Sequence, residues 1–237
     1  MQIVLIGRGR LATNLLPALQ GAGHRVVSIN SRTLEGLPQE ADVFIVSVKD
    51  SALEEVISRA TAGREGQLFV HTAGSMPMDV FEGHTRRFGV FYPMQTFSKE
   101  RLVDFSEIPV FIEGDDPLIR ELAESISGSV YQLSTADRKY LHLSAVFACN
   151  FVNHCYALSA ELLERHHLPF DVMLPLIDET AQKVHEMHPL DAQTGPAVRY
   201  DENVIRMQAN LLADMPEMQD IYKRLSLDIH RKAKKDI

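Results

Sequence analysis

The chain has 237 residues, of which 45% are hydrophobic, and it carries a formal net charge of −8 at pH 7. This composition predicts a globular protein of one large domain or two modest ones, and the acidic balance argues against a nucleic-acid partner. The sequence has neither a basic start followed by an apolar signal run nor an uncharged apolar stretch of about 18 residues, so we expect a cytoplasmic protein without a membrane partner.

The first 33 residues contain an apolar strand over 2–6, a glycine-rich turn, a helix and a second strand over 25–30. The turn has the pattern G-x-G-x-x-A, in which the glycines allow a sharp bend and the close approach of a pyrophosphate. The helix that follows offers free N–H groups to an anion. A turn that binds nothing is the alternative. The predicted pyrophosphate contacts are Gly7, Arg8, Gly9, Arg10, Leu11 and Ala12.

The end of the second predicted strand indicates which dinucleotide is bound. An NAD site places Asp or Glu about 20 residues after the glycines, whereas an NADP site has Arg and small polar residues there. No acidic residue occurs in this stretch before Glu35, and Arg32 can pair with a 2′-phosphate. We therefore predict NADP as the cofactor, with Arg32 as an ordinary surface cation as the alternative. The predicted contacts to the phosphorylated ribose are Asn30, Ser31, Arg32 and Thr33.

Strands and helices continue to alternate as far as about residue 133. Apolar runs over 41–48 and 67–72 are typical of parallel strands covered on both faces, and ligands bind beyond the carboxyl ends of such strands. Further predicted elements are strands over 88–97, 108–114 and 130–133, and helices over 50–61 and 117–126. The residues expected to line the cofactor crevice are Ser47, Val48, His71, Thr72, Ala73 and Gly74, and Ser75 and Tyr92 are expected to contact substrate.

Beyond Ser134 the pattern becomes entirely helical. Ser134 and Asp137 form the capping box of a helix that neither Gly nor Pro interrupts before His166. We predict a Rossmann-like, doubly wound α/β domain over residues 1–134 and an all-α domain over 135–237, built on this long helix. Later helices are predicted over 172–187, from a cap at Asp201 to 213, and from a cap formed by Asp214 and Glu217 onwards.

Polar side chains share one face of the predicted long helix. At about 100° per residue, four of them fall within a narrow sector among apolar neighbours: Lys139, His142, Asn150 and Asn153. We predict that this face meets the nicotinamide, with His142 or Lys139 as proton donor and an asparagine orienting a carbonyl or imine. The alternative is a set of hydrogen-bonded polar residues in a helix–helix or dimer contact.

The loop over 193–201 combines a Gly-Pro turn with an arginine and the capping Asp201. Its candidate substrate contacts are Thr194, Gly195, Pro196 and Arg199. These residues either clamp a substrate anion or simply connect two helices. No metal site is predicted, because His185 and His188 lack the spacing of helical zinc ligands.

Six segments of the sequence occur in an order that resembles a known family: G-x-G-x-x-A, N-S-R-T, V-H-T-A-G-S, F-Y-P-M-Q-T-F, H-L-S-A-V-F-A-C-N and T-G-P-A-x-R-x-D. The whole chain resembles NADP oxidoreductases of the 6-phosphogluconate dehydrogenase-like superfamily, in which a Rossmann-like half precedes a helical domain of unknown function. The resemblance implies NADP binding and a homodimer formed through the helical domain, and it matches His142, Asn150 and the T-G-P segment to the family's pattern. The hydroxyacid dehydrogenases of the superfamily carry a Lys–Asn pair four residues apart on the long helix. This chain lacks that pair, so their general acid has no counterpart here.

These patterns predict an NADP-dependent oxidoreductase that transfers hydride between the nicotinamide and a small carbonyl or imine compound. Two alternatives stay open. The missing Lys–Asn pair is compatible with a redox sensor that binds NADP(H) without turnover. Relatives in the superfamily that reduce flavins or deazaflavins suggest such a carrier as the substrate.

Overall fold

The computed structural model describes residues 1–234, so residues 235–237 of the predicted helical domain lie outside the described part. The chain forms two compact units, Met1–Phe151 and the helices from Val152 onwards. The secondary structure changes from sheet to helix after Ser134, whereas the compact units divide further along the chain. The domain boundary near Ser134 therefore stays a prediction.

A seven-stranded sheet forms the centre of the first unit. Its strands are β1 (Gln2–Ile6), β2 (Arg25–Ile29), β3 (Val43–Val46), β4 (Leu68–His71), β5 (Arg87–Pro93), β6 (Val110–Glu113) and β7 (Val130–Gln132). The spatial order is β2-β1-β3-β4-β5-β6-β7, and β1 to β5 run parallel. The chain pairs β1 first with β2 and then with β3 on its other side. The carboxyl ends of β1 and β3 therefore flank a topological switch point, where α/β folds bind ligands.

Helices cover both faces of this sheet. The helices of the first unit are α1 (Arg10–Gly21), α2 (Asp50–Thr61), α3 (Pro117–Glu124) and α4 (Thr135–Ala145), of which the first three contribute to the core under the sheet. Successive side chains of β1 point to opposite faces, so Ile3 and Leu5 join the core cluster under α1 and α3. Val4 and Ile6 join the second cluster, under α2. The predicted Rossmann-like, doubly wound α/β fold is confirmed.

The far edge of the sheet departs from the all-parallel pattern. Between β5 and β6 the chain forms only a 3₁₀ turn, Phe105–Glu107, and β6 runs antiparallel to β5. A parallel connection usually needs a crossover helix, which this segment does not form. β7 pairs parallel with β6 and closes the edge, as predicted.

The long helix begins as predicted but changes its winding. The Asp137 N–H donates to Ser134 Oγ at 3.1 Å, which caps α4. Helical residues then continue through a π-helical segment, Val146–Phe151, into α5 (Val152–Arg165). A π segment holds about one more residue per turn, which rotates later side chains by roughly 100° relative to an α-helix. The prediction that His142 and Asn150 share one face assumed that the helix is α-helical throughout, and that assumption is wrong.

The second unit consists of helices and their connections. They are α5, α6 (Leu174–Glu186), α7 (Pro196–Arg199), α8 (Glu202–Leu211) and α9 (Pro216–Ala233). Asp201 caps α8 as predicted, because its carboxylate accepts from the Val204 N–H at 3.3 Å. The cap predicted at Asp214 is wrong, since this carboxylate instead pairs with Arg165 at 2.9 Å. Within residues 1–234, no helix is both long and apolar enough to cross a membrane.

Candidate active site

The glycine-rich loop lies at the carboxyl ends of β1 and β3. Gly7 has a φ of +134°, and an added Cβ would overlap the carbonyl oxygen of Ser47, so only glycine fits there. An added Cβ on Gly9 would instead meet nothing within 4 Å and would project into open space. Among the described residues no side chain caps α1, and its first turn contains no acidic residue. The loop and the start of α1 therefore fit a pyrophosphate, whose oxygens would take the space that a Cβ on Gly9 would fill.

The turn after β2 carries the predicted ribose contacts. The Arg32 N–H donates to Asn30 Oδ1 at 3.0 Å, and the Leu34 N–H donates to the Asn30 carbonyl at 2.9 Å. Asn30 therefore fixes the backbone of the turn, while the side chains of Arg32 and Thr33 are exposed. An exposed guanidinium on a fixed backbone fits the recognition of a phosphate by charge-assisted hydrogen bonds.

His71, at the end of β4, is completely buried and holds the loop that follows it. Its Nδ1 accepts from the Ala73 N–H at 3.2 Å, and its Nε2 lies 3.2 Å from the Pro77 carbonyl. Burial, together with the positive charge of Arg138, lowers the pKa of His71 to about 4. The ring is therefore neutral at physiological pH, with Nε2–H donating to Pro77. Both ring nitrogens are engaged within the chain, so the His71 ring holds the loop in place, and the predicted contact of His71 with the cofactor stays a prediction.

Three elements meet where the loop after β4 faces the start of the helical region. Tyr92 of β5 places its phenol oxygen 3.1 Å from Nδ1 of His142 on α4. Gly74 lies against this pair, because an added Cβ would be 2.5 Å from His142 Nδ1 and 3.0 Å from Tyr92 Cζ. Tyr92 lies near the carboxyl end of β5, the same edge of the sheet at which the glycine-rich loop leaves β1.

Tyr92 and His142 are the two titratable side chains of this contact. Burial raises the pKa of the Tyr92 phenol, although the charge of Arg138 opposes this shift. The phenol therefore stays protonated at neutral pH, and it lies in hydrogen-bond contact with the imidazole of His142, which is half-buried. Such a pair can deliver a proton to a reacting atom and recover it through the ring.

A buried arginine ties α4 to the loop and to the sheet. Arg138, 1% exposed, forms an ion pair with Glu113 of β6 and donates to the Met76 carbonyl at 2.6 Å. Thr135 donates to the same carboxylate at 2.7 Å and accepts from the Met78 N–H at 3.1 Å. Burial alone would raise the pKa of Glu113, but the hydrogen bonds from Arg138 and Thr135 outweigh it and lower the pKa. The network therefore sets where α4 presents His142 relative to the loop that carries Gly74.

Ser75 is the other polar group of this loop. Its hydroxyl hydrogen-bonds to the carboxylate of Asp50, the first residue of α2. The two residues follow β4 and β3, so this contact lies at the carboxyl ends of two adjacent strands. Ser75 is thus positioned at the predicted crevice, which is compatible with the substrate contact expected there.

The remaining predicted residues are placed as follows. Lys139 is exposed on α4, one residue after the buried Arg138, and Asn150 is exposed within the π-helical segment. Five predicted contacts belong to the second unit, and their roles stay predictions: Asn153, Thr194, Gly195, Pro196 and Arg199.

Sequence reasoning missed Arg138 and Glu113. Arg138 precedes His142 by one helical turn, so both lie on the same face of α4, and this spacing was the available signal. Glu113 had no such signal, because only the antiparallel pairing of β6 brings it beside the helix.

Solved structures place the chain among Rossmann-fold oxidoreductases. A "putative NADP oxidoreductase" from Bacteroides fragilis is 52% identical, with a TM-score of 0.92 over 97% of this chain and 98% of that chain. An imine reductase from Streptomyces aurantiacus is 15% identical, with a TM-score of 0.63 over 94% of each chain. A pyrroline carboxylate reductase from Plasmodium falciparum, solved with NADP bound, is 11% identical, with a TM-score of 0.63 over 97% of this chain and 98% of that chain. The last two likenesses show the fold alone.

The sequence also matches a family model. Residues 108–229 match the model described as a domain of unknown function (DUF2520), which spans the end of the sheet and most of the helical region. No protein of curated function matches the chain. The fold and the 52% identity to the B. fragilis protein define an oxidoreductase of the NADP-binding Rossmann class. Within that class the chain belongs to the DUF2520 family.

Proposed function

We propose that the protein reduces a small carbonyl or imine compound with NADPH, and that Tyr92 and His142 together supply the proton. The observation that carries this proposal is the 3.1 Å contact between the Tyr92 phenol and His142 Nδ1. This contact lies at the edge of the sheet that also carries the glycine-rich loop. A dinucleotide bound along that loop would extend over the carboxyl ends of the strands.

The chemistry divides between the cofactor and the chain. NADPH, when bound, supplies the hydride that adds to the carbonyl or imine carbon. The Tyr92–His142 pair donates one proton to the oxygen or nitrogen of the same double bond, so the product is an alcohol or an amine. In the reverse direction the same pair accepts that proton. Gly74 keeps the space beside the pair clear of a side chain.

The test is a screen of the purified protein for NADPH oxidation with small aldehydes, ketones and cyclic imines. With NADPH we expect turnover of one of these three compound classes, and with NADH we expect little turnover of the same compounds. Tyr92→Phe and His142→Ala should lower kcat for that substrate while leaving the Kd of NADPH nearly unchanged.

Other outcomes would replace this proposal. NADPH binding without turnover on any carbonyl or imine would favour the redox-sensor alternative. Reduction of an added flavin or deazaflavin alone would make the carrier the substrate. Undiminished turnover in His142→Ala and Tyr92→Phe would remove the proton-donor assignment while leaving the oxidoreductase in place.

We further propose that the protein is a homodimer through its helical part. The second unit exposes many large apolar side chains, and a second copy of the chain would remove them from water. They include Leu174, Leu176, Val184, Met187, Leu190, Met207 and Leu211. Sedimentation equilibrium should give about twice the chain mass, and a monomer at micromolar concentration would contradict this proposal.

A further inference from the structure

Arg59 lies at the turn that carries the predicted 2′-phosphate contact. Its Nη2 donates to the backbone carbonyl of Arg32 at 3.0 Å. The side chain of Arg59 is still 41% exposed, so the guanidinium remains accessible to a ligand. Sequence reasoning assigned no role to this residue.

The reach of Arg59 follows from the geometry of α2. This helix starts beside the carboxyl end of β3, and Arg59 is in its last turn. Side chains of a helix lean toward its N-terminus, so the long arginine side chain extends back toward the edge where the β2 turn lies. A guanidinium in the last turn of a helix also interacts favourably with the helix dipole.

The other contact of Arg59 is weak. Its Nη1 lies 3.3 Å from Glu55, one turn earlier on α2, and the Glu55 side chain is 73% exposed. An exposed pair with this spacing contributes little to stability. Glu55 therefore does not neutralise the guanidinium strongly, and the Arg59 charge stays available to an anion at the turn.

We propose that Arg59 is a second cation of the 2′-phosphate site and that it determines, with Arg32, the preference for NADPH over NADH. A 2′-phosphate carries close to two negative charges at neutral pH, which two guanidinium groups balance better than one. The hydrogen bond to the Arg32 carbonyl holds the Arg59 guanidinium at the turn that carries Arg32. The proposal rests on the NADPH binding proposed above, because it concerns the selectivity of that site.

A purely structural role for Arg59 makes a different prediction. The same turn is held at its far end by Arg64, which donates to the carbonyls of Leu37 at 3.1 Å and Pro38 at 2.6 Å. Leu34 and Leu37 also pack against the core. The turn therefore has other anchors. If Arg59 only held the backbone, its charge would not matter, and Arg59→Lys would protect NADPH binding no better than Arg59→Gln.

The experiment titrates NADPH and NADH, followed by their own fluorescence, into the wild type and three variants of Arg59. Arg59→Gln leaves a shorter neutral donor and removes the charge, whereas Arg59→Lys keeps the charge. We expect Arg59→Ala and Arg59→Gln to weaken NADPH binding about tenfold and to leave NADH binding unchanged. Arg59→Lys should retain most of the preference, and added salt should reduce it in the wild type.

The matched control is Arg120→Ala. Arg120 pairs with Glu124 on α3 at 3.4 Å, and these residues are four positions apart and similarly exposed, like Arg59 and Glu55. Arg120→Ala therefore removes an equivalent ion pair at a place away from the turn. It should leave both affinities unchanged. A competition titration with 2′,5′-ADP and with 5′-AMP provides a second readout, because only the former carries the 2′-phosphate.

Each result supports or overturns the proposal. An unchanged NADPH/NADH ratio in Arg59→Ala, an equal loss of both cofactors, or a preference retained in Arg59→Gln would each overturn it. In each of these three outcomes, the assignment of NADP as the cofactor would remain supported if the wild type prefers NADPH. A wild type with no preference would overturn the cofactor assignment and this inference together.

Discussion

The phenol oxygen of Tyr92 and Nδ1 of His142 lie 3.1 Å apart, although the residues are 50 positions apart in sequence and belong to a strand and a helix. Gly74 leaves room for this contact, and the buried Arg138 fixes the helix that brings His142 to it. The pair combines a phenol that holds its proton with a half-buried ring. It therefore supports a proton-transfer role more directly than Lys139 or Asn150, which the sequence also suggested.

Replacing Tyr92 with phenylalanine removes the hydroxyl and leaves the ring packing in place. We expect kcat to fall about 100-fold or more, which is the usual contribution of a positioned acid or base. The Kd of NADPH should stay within twofold. Tyr131→Phe is the control, because Tyr131 is exposed on β7 and only stacks on Phe111. Equal kcat values for both variants would exclude the phenol as a proton donor.

Adding a methyl group at Gly74 tests the packing of the pair. The Cβ of Gly74→Ala would lie 2.5 Å from His142 Nδ1, so the ring must move. We expect a loss of about 1–3 kcal/mol in the free energy of unfolding, together with a loss of turnover. Gly66→Ala is the matched control, since its nearest neighbour would be the flexible end of Arg86 at 3.6 Å. Urea denaturation measures both, and equal stability losses would show that the loop can shift freely.

Substitution of the two glycines in the turn after β1 should have different effects: one on stability and one on cofactor binding. Gly7→Ala combines a positive φ with an overlap against Ser47, so we expect a strongly destabilised protein. Gly9→Ala meets open space and should fold with a normal melting temperature, yet bind NADPH at least tenfold more weakly. Thermal denaturation and NADPH titration separate the two effects. Normal NADPH binding by Gly9→Ala would mean that the pyrophosphate lies elsewhere.

His71 makes stability depend on pH. Its pKa is about 4 in the folded chain, against an ordinary value of 6.5, so between these values the unfolded chain binds more protons. The free energy of unfolding should therefore fall as pH drops from 6.5 to 4, by up to about 3 kcal/mol from this residue. The comparison is with His71→Asn, which cannot titrate. Urea denaturation across this range should show a shallower slope for the variant, and parallel curves would contradict the assignment.

Arg138 stabilises the start of α4 by pairing with a carboxylate. Arg138→Ala leaves Glu113 partly buried without its charge partner, which costs about 3–5 kcal/mol when such a pair is broken. Adding Glu113→Gln should recover part of this loss. Arg165→Ala breaks the exposed pair with Asp214 and should cost no more than about 1 kcal/mol. If the two arginine variants unfold at the same urea concentration, the buried network does not hold the helix.

Local patterns predicted much of the fold. The strand, glycine turn and helix of residues 1–33 depend on short-range periodicity and backbone conformation, which the sequence carries directly. The same holds for the capping of α4 by Ser134 and of α8 by Asp201. The N-S-R-T segment predicted NADP, and the membership of the family agrees with it. The cap predicted at Asp214 is wrong, because α9 begins directly after Met215 and the Asp214 carboxylate pairs with Arg165, 49 residues earlier in the chain.

The sequence by itself determined the fold class, the dinucleotide loop and the order of strands and helices, because these depend on neighbours within about one turn or one strand. Only the tertiary structure decided that His142 meets Tyr92 and Gly74, and that Glu113 meets Arg138. Those contacts require the strand order and the reversal at β6, which bring together residues far apart in the chain. It also decided the π-helical winding after Ala145, which no residue pattern had predicted. In a π turn each N–H reaches the carbonyl five residues back instead of four, and the spacing of apolar residues along the sequence does not reveal that change.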